Sequence, residues 1–239
     1  MADSEVKQLS RDELVKMVDF CDHPVVQAKL TLLRRKETSS KHFRELLREV
    51  TSFIGYSATT DLETKSLSVD TPMATHEGVE VSSKVALVPI MRSGLGMVDT
   101  MLDILPSSPV YHLGLFRNPE SMLPVLYYNK LPAKCEVDRV LVLEPLIATA
   151  GTITAVLDIL EEWGAKEVHL VTLIASTQGL SKLFAEHPNV KVHVAAIDDT
   201  LDSNGYILPG LGDAGERINN SIASITVDPV EQAAKRQKV

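Results

Sequence analysis

One segment of the sequence combines an acid, small residues and hydroxyls at the start of a predicted helix. The run LEPLIATAGT, residues 143–152, joins an apolar strand to an amphipathic helix. The first N–H groups of a helix have no partner within it, and the helix dipole favours negative charge there. Residues 149–152 therefore suit a phosphate, and Glu144 suits the hydroxyls of an adjoining sugar. The same residues also fit a simple helix cap at Thr149 or Thr152, with Glu144 as a solvated strand end.

A second loop of the same kind carries an arginine. The run VPIMRSGLGM, residues 88–97, again leads from an apolar strand through a turn into a helix, with Arg92 in the turn. A guanidinium stays charged and donates hydrogen bonds in parallel, which makes it a natural partner of a diphosphate. Gly94 and Gly96 would let the backbone approach a ligand closely. The alternative is an ordinary surface arginine in a glycine-containing turn.

These loops depend on a regular alternation of strands and helices. Short apolar runs alternate with amphipathic helices, which is typical of a parallel sheet covered on both faces. Such sheets bind ligands in the loops beyond the carboxyl ends of their strands. The predicted strands are Val85–Ile90, Val110–Phe116, Val140–Leu143, Val168–Ala175 and Val192–Ile197.

The chain divides into a polar start, one domain and a polar end. Residues 1–22 are predicted to be a polar N-terminal segment, residues 23–222 a single domain and residues 223–239 a polar tail. Two helices are predicted after His23. Residues 56–83 are mixed and polar, and they favour a short strand pair or an arm.

The composition limits the kinds of partner. The formal net charge is -8, which argues against nucleic acid, because phosphate-backbone contact needs a clustered basic surface. A small anionic ligand needs only a few local cations and stays possible. The first 20 residues have no apolar core typical of a secretory signal, and no stretch reaches the roughly 20 apolar residues of a spanning helix. We therefore expect a cytoplasmic protein without membrane partners.

The histidines and cysteines do not predict a metal centre. The seven histidines have no ligand spacing, so we expect no transition metal bound by the protein. The two cysteines, Cys21 and Cys135, lie far apart and match no metal motif. This usage suits a reducing compartment.

The most specific run lies near the carboxyl end. Residues 204–217, NGYILPGLGDAGER, contain a literal G-x-G-x-x-G at Gly210–Gly215. A dinucleotide-binding fingerprint must follow the first strand of its unit and open a helix. This match comes late in the chain and directly after a proline, which argues against a dinucleotide.

Three runs together resemble the uracil phosphoribosyltransferases, a family of type I phosphoribosyltransferases. They are residues 144–152 (EPLIATAGT), residues 88–97 and residues 205–215 (GYILPGLGDAG), and the resemblance extends from about His23 to Arg217. It implies an α/β fold with a mostly parallel central sheet flanked by helices and with a β-hairpin lid or arm. It implies an enzyme that joins uracil to phosphoribosyl pyrophosphate (PRPP) and gives UMP and pyrophosphate.

The resemblance also implies which residues act. Arg92, Arg117 and Asp213 are the predicted catalytic residues, with Arg117 on a mobile hairpin that folds over the diphosphate. Mg²⁺ is expected as Mg-PRPP, without a direct protein ligand and with a possible water-mediated contact to Asp213. The predicted PRPP-binding residues are Arg92, Arg117, Glu144, Pro145, Leu146, Ile147, Ala148, Thr149, Ala150, Gly151, Thr152 and Asp213. The predicted uracil-binding residues are Ile207, Gly212, Asp213 and Ala214, which read the base largely through backbone groups.

Two positions depart from the family pattern. The family usually has Asp at Glu144 and Gly at Ala150, and an alanine is unfavourable there if the loop needs a positive φ. These departures leave open a regulatory homologue that binds PRPP with weak or lost activity. Two further alternatives are a plain interaction domain and a phosphoribosyltransferase for another base, although the latter would lack the run GYILPGLGDAG, which is present. By family analogy we expect a homodimer or homotetramer with a possible GTP effector. Arg34 is either near such a nucleotide site or an ordinary helix-surface arginine.

Overall fold

The computed structural model describes residues 7–117 and 124–221. Two parts of the predictions, the tip of the second hairpin and the tail at 223–239, lie outside the described residues. The elements are α1 (Arg11–Met17), β1 (Asp19–Phe20), α2 (Pro24–Arg34), α3 (Ser40–Ser57), β2 (Thr64–Asp70), β3 (Thr75–Val81), β4 (Val85–Met91), α4 (Leu95–Ile104), β5 (Leu113–Arg117), β6 (Pro124–Asn129), β7 (Arg139–Leu143), β8 (Leu146–Ile147), α5 (Gly151–Trp163), β9 (Val168–Ser176), α6 (Thr177–Glu186), β10 (Lys191–Asp198), β11 (Thr200–Leu201), β12 (Ile207–Leu208) and α7 (Ala214–Asn219).

The predicted parallel sheet is confirmed. Its strands run in the order β1-β10-β9-β7-β4-β5-β6, and β8 pairs beside β9. All these pairings are parallel except that of β5 with β6. Nearly every residue of β4, β7, β9 and β10 is buried. The continuous apolar runs therefore form central strands that are covered on both faces.

Two layers of helices form the two halves of the core. On one face α2, α3, α4 and α7 contribute buried side chains such as Leu30, Phe43 and Met101. On the other face α1, α5 and α6 contribute Leu14 and Leu183, among others. With both faces covered, ligands can reach the sheet only at its strand ends.

The described part of the N-terminal segment packs onto the domain. α1 begins at a capping box in which Ser10 and Glu13 bind each other's backbone N–H groups. Its Leu14 is fully buried, and β1 adds a parallel edge strand to β10. Leu14 is the one fully buried side chain of this described part, and Leu9, Val15, Val18 and Phe20 pack beside it only partly buried. So short a stretch leaves little periodic signal, which is why composition alone suggests only a polar segment.

Two antiparallel hairpins project from the domain. β2 and β3 pair along their full lengths and are largely exposed, matching the predicted strand pair at 56–83. β5 and β6 form the second hairpin at the edge of the central sheet, where the sequence indicates a lid. Among the described residues, no helix combines the length and apolar character required to cross a bilayer.

Candidate active site

A cavity of about 930 Å³ opens beyond the carboxyl ends of β4 and β7. Three loops surround it: the turn between β4 and α4, the loop between β7 and α5, and the run between β11 and α7. Ligand sites in parallel α/β sheets occur at this edge. The lining residues are Ser93, Pro124, Glu144, Leu146, Ala148, Thr149, Gly151, Thr152, Asn204, Gly205, Tyr206, Gly212, Asp213, Ala214 and Gly215.

The loop before α5 has the geometry of an uncapped helix start that faces the cavity. Ala150 is the N-cap residue with φ 60 in the left-handed region, and no side chain caps the helix. Neither Thr149 nor Thr152 therefore serves as the cap, so the simple capping interpretation is wrong for these two hydroxyls. The departure to alanine at 150 falls on a backbone conformation that favours glycine.

The residues at the start of α6 contact the loop before α5 and fix its position. Ser176 donates a hydrogen bond to the Ala148 carbonyl at 2.5 Å. A Cβ on Gly179 would lie only 2.2 Å from that same oxygen, so the two segments approach as closely as glycine permits. The Pro145 carbonyl accepts hydrogen bonds from the N–H groups of Leu173 and Ile174. These contacts fix the path of the loop against β9.

Glu144 lies between the first two loops. Ser93 Oγ donates a hydrogen bond to Glu144 Oε1 at 2.6 Å. Burial of the carboxyl raises the pKa of Glu144 to about 7, with a further contribution from the charge of Asp213, although bonds from Ser93 and the Leu146 N–H oppose the shift.

The turn after β4 brings Arg92 beside Asp213. A Cβ added to Gly215 would lie 3.2 Å from Asp213 Oδ1 and 3.9 Å from Arg92 Nη2, so both side chains border the same small volume. Gly94 packs against the end of β7, because a Cβ there would lie 2.1 Å from the Leu143 carbonyl oxygen. The turn with Arg92 and the loop with Glu144 are thus in direct backbone contact.

The run before α7 forms the third wall. Gly210 and Gly212 have φ values of 52 and 79, which residues other than glycine rarely adopt. Asp213 caps α7 by accepting a hydrogen bond from the Glu216 N–H at 2.9 Å. Ile207 is different, because its side chain packs into the core and does not line the cavity.

Most of the predicted site residues meet at this cavity. Those that line it are Glu144, Leu146, Ala148, Thr149, Gly151, Thr152, Gly212, Asp213 and Ala214. Ile147 and Ala150 border an adjoining cavity of about 230 Å³, and Pro145 of the same loop is buried and lines neither cavity. The backbone of Arg117 ends β5, and its side chain lies outside the description.

Six lining residues were absent from the predicted set: Ser93, Pro124, Asn204, Gly205, Tyr206 and Gly215. Pro124 begins β6 in the second hairpin. The remaining five lie in or beside the three runs that carried the prediction. Ser93 follows Arg92 directly, and a hydroxyl in a strand-end turn is a signal that could have been used. The other four flank the predicted base-binding residues in the chain.

An acidic cluster at the other edge of the sheet is already paired. Asp61, Glu167 and His169 have ligand atoms within 4.8 Å of one another. Arg139 and Lys191 both bind the two carboxylates, with Arg139 at 2.6 Å from Asp61. These residues lie by the amino ends of β7 and β9, away from the cavity. Their charge is balanced by protein cations.

The fold and the cavity define a protein of the type I phosphoribosyltransferase class. The family model described as uracil phosphoribosyltransferase matches residues 20–221. The chain belongs to this family, which confirms the resemblance found in the sequence.

Relatives and a solved structure agree with this membership. A protein named uracil phosphoribosyltransferase from Roseiflexus sp. (strain RS-1) is 52% identical over 201 residues, covering 84% of this chain and 97% of the relative. One of the same name from Dictyoglomus thermophilum is 47% identical over 203 residues, covering 84% and 98%. The AQ2163 protein from Aquifex aeolicus superposes with a TM-score of 0.79 at 30% identity, covering 84% and 97%.

Proposed function

We propose that this chain transfers the phosphoribosyl group of PRPP to N1 of uracil, giving UMP and pyrophosphate in pyrimidine salvage. Family membership supports the activity. The observation that carries the residue assignment is the shared cavity, in which an uncapped helix start, Glu144 and Asp213 face one volume of about 930 Å³. A volume of this size accommodates a nucleotide-sized ligand.

The loop at residues 144–152 binds the phosphate and ribose of PRPP. N–H groups at the start of α5 and the hydroxyls of Thr149 and Thr152 receive the 5′-phosphate. The ionised form of Glu144 accepts hydrogen bonds from the ribose hydroxyls. Burial raises the pKa of this carboxyl, and hydrogen bonds donated to it by the ribose hydroxyls favour its ionised form.

The arginines stabilise the leaving group. Negative charge develops on pyrophosphate as its bond to the anomeric carbon breaks, and we assign Arg92, which borders Gly215 together with Asp213, to stabilise that charge. Arg117 ends β5 in the hairpin assigned as the lid. A closed lid excludes water, which would otherwise hydrolyse PRPP.

Magnesium enters with its substrate as Mg-PRPP. The carboxylate of Asp213 is an oxygen group of the kind that suits Mg²⁺, and it would contact the ion through water. When bound, the ion neutralises part of the diphosphate charge. Asp213 already caps α7 through Oδ1, which holds the carboxylate at the cavity wall.

The run at residues 205–215 selects the base. Uracil presents two carbonyl acceptors and an N3–H donor, which backbone groups of Ile207, Gly212 and Ala214 match. The amino group of cytosine would face a backbone N–H and leave buried polar groups unpaired, so cytosine is rejected. Loss of the N1 proton is assisted by the dipoles of this loop.

Several properties follow from the family resemblance alone. They are a single catalytic domain over residues 23–222, a homodimer or homotetramer, GTP as an effector and a cytoplasmic location. Size measurement in solution, with and without GTP, tests the oligomer and the effector together.

A base panel tests the proposed activity. Pyrophosphate release from Mg-PRPP is measured with uracil, cytosine and hypoxanthine. Release only with uracil supports the proposal, and the preference should reach on the order of 10⁴-fold over cytosine, as in sites that hydrogen-bond a polar group. Release with another base, or with none while PRPP still raises the unfolding temperature, would contradict it.

A further inference from the structure

The run at residues 205–215 has little regular structure of its own. Its pairing is the two-residue ladder of β12 with β11, and three of its glycines, Gly205, Gly210 and Gly212, have positive φ. A base-reading loop must nevertheless hold its backbone groups accurately, because a shift of about 1 Å changes rates by roughly 10²-fold. The contacts that hold this loop therefore matter for its function.

An ion pair binds both backbone groups of one residue in the loop. Arg34 in α2 donates to both carboxylate oxygens of Asp198, at 2.7 and 2.8 Å. The Gly210 carbonyl accepts from Arg34 Nη1 at 2.8 Å, and the Gly210 N–H donates to Asp198 Oδ2 at 2.9 Å. These four hydrogen bonds form a closed ring, which we call the Gly210 clamp.

The surroundings make the Gly210 clamp rigid. The Asp198 side chain is 8% exposed and that of Arg34 is 24% exposed, so Arg34 is not an ordinary surface arginine. Gly210 has no room to move inward, because a Cβ there would lie 2.1 Å from the Ile207 carbonyl oxygen. Charge-assisted bonds in such a partly buried setting are stronger than exposed ones.

A second arginine ties the same loop to the same helix end. Arg217 Nη1 donates to the carbonyls of Leu211 and Leu33, and Nη2 donates to that of Arg35. Its guanidinium stacks 4.4 Å from the ring centre of Phe43. These bonds fix the carboxyl end of α2 beside Leu211, and they therefore also fix the backbone position of Arg34 relative to Gly210.

We infer that Arg34 and Asp198 are positioning residues for uracil specificity, acting through Gly210 on the adjoining base-reading backbone at Gly212 and Ala214. Neither side chain lines the cavity, so neither contacts the substrate. The inference rests on the proposed function, since it assumes that residues 205–215 bind the base. According to this inference, an ion pair outside the cavity fixes the position of the backbone groups that bind uracil.

The test compares three variants by steady-state kinetics. Arg34→Lys keeps the charge but replaces the planar guanidinium by one ammonium nitrogen, which lacks the two parallel donors that Arg34 directs at the Asp198 carboxylate. Asp198→Asn keeps the size and removes the charge. Lys29→Gln is the matched control, because it removes another ion pair of α2, that of Lys29 with Glu49, away from the loop.

Arg34→Lys and Asp198→Asn should each raise KM for uracil about tenfold, the effect of one lost charge-assisted hydrogen bond. KM for PRPP should change less than about twofold, and the preference for uracil over cytosine should fall. In the double variant the free-energy cost for uracil binding should be less than the sum of the two single costs, because both residues belong to the Gly210 clamp. Lys29→Gln should behave as wild type.

Two outcomes would overturn the inference. One is an unchanged KM for uracil and unchanged base preference in folded variants. The other is an equal loss for uracil and PRPP that tracks a lower unfolding temperature, which would mean a structural role only. Failure of the proposed function is distinguishable, because the wild type itself would then release no pyrophosphate with uracil.

Discussion

Replacing Gly94 by alanine tests whether the contact between two loops controls catalysis. A Cβ at this position would lie 2.1 Å from the Leu143 carbonyl oxygen and within 2.9 Å of the backbone N and O of Ile90. All three neighbours are backbone atoms, so no side-chain rotation relieves the contact. Ordinary contacts begin near 3.4 Å. The turn that carries Arg92 must therefore move about 1 Å away from β7, since the interior is closely packed.

This displacement sets the expected magnitude. A misplacement of about 1 Å at a positioned group reduces rates by roughly 10²-fold, so kcat/KM for PRPP should fall by about that factor. Overpacking should also lower the free energy of unfolding by about 1–3 kcal/mol. For a chain of this length that corresponds to a Tm roughly 2–12 °C lower.

The assay is pyrophosphate release with uracil, measured well below the Tm of either protein. Gly78→Ala is the control, because Gly78 lies in the exposed β2–β3 hairpin and its nearest contact would be 3.6 Å. This variant should retain wild-type kinetics. A folded Gly94→Ala enzyme with kcat/KM within about threefold of wild type would refute the reasoning, because the loop spacing would then not limit the rate.

Three further predictions concern single residues. Arg92→Ala should reduce UMP formation at least about a hundredfold with an unchanged circular dichroism spectrum, the loss of one contact to developing charge; near-normal turnover would contradict the assigned role. Ala150→Gly should change the free energy of unfolding by less than about 1 kcal/mol, because two effects oppose each other. Glycine removes the strain of the left-handed φ, but it also loses a buried methyl group and makes the unfolded chain more flexible. A larger change by urea titration would count against this balance.

Acid should also destabilise the fold. Burial raises the pKa of Glu167, but hydrogen bonds from His169 and Arg139 outweigh it and lower the pKa to about 2. The folded pKa lies below the unfolded one, so this stabilisation is complete above pH 4.5 and is lost as the pH falls toward 2. Glu167→Gln should therefore lessen the fall in urea midpoint between pH 6 and pH 3, and an identical fall in both proteins would exclude the contribution.

The sequence was most informative where burial leaves a continuous signal. The apolar runs of β4, β7, β9 and β10 predicted the parallel sheet, since each strand is buried on both faces. The sequence did not predict the edge strand β1, because it has only two residues, one polar and one apolar. Its extended conformation depends on pairing with β10. Short edge elements depend on tertiary contacts, and these leave little periodicity.

The position of the three runs could be predicted in part, and the roles of their residues stay predictions. The runs after β4 and β7 border one cavity because both strands are parallel and end at one edge of the sheet. The contact of Gly94 with Leu143 and the left-handed φ of Ala150 depend on how the two loops pack in the folded chain, which the sequence does not specify locally. The pairing of Arg34 with Asp198 joins positions 164 residues apart, and no local pattern indicates it.

Product stoichiometry tests the central claim most directly. Labelled uracil and Mg-PRPP are mixed with the wild-type chain, and labelled UMP and pyrophosphate are quantified in the same samples. We predict that the two products form in equal amounts and that no pyrophosphate appears without uracil. Pyrophosphate release without UMP, or labelled uracil that remains unchanged while PRPP binds, would contradict the account.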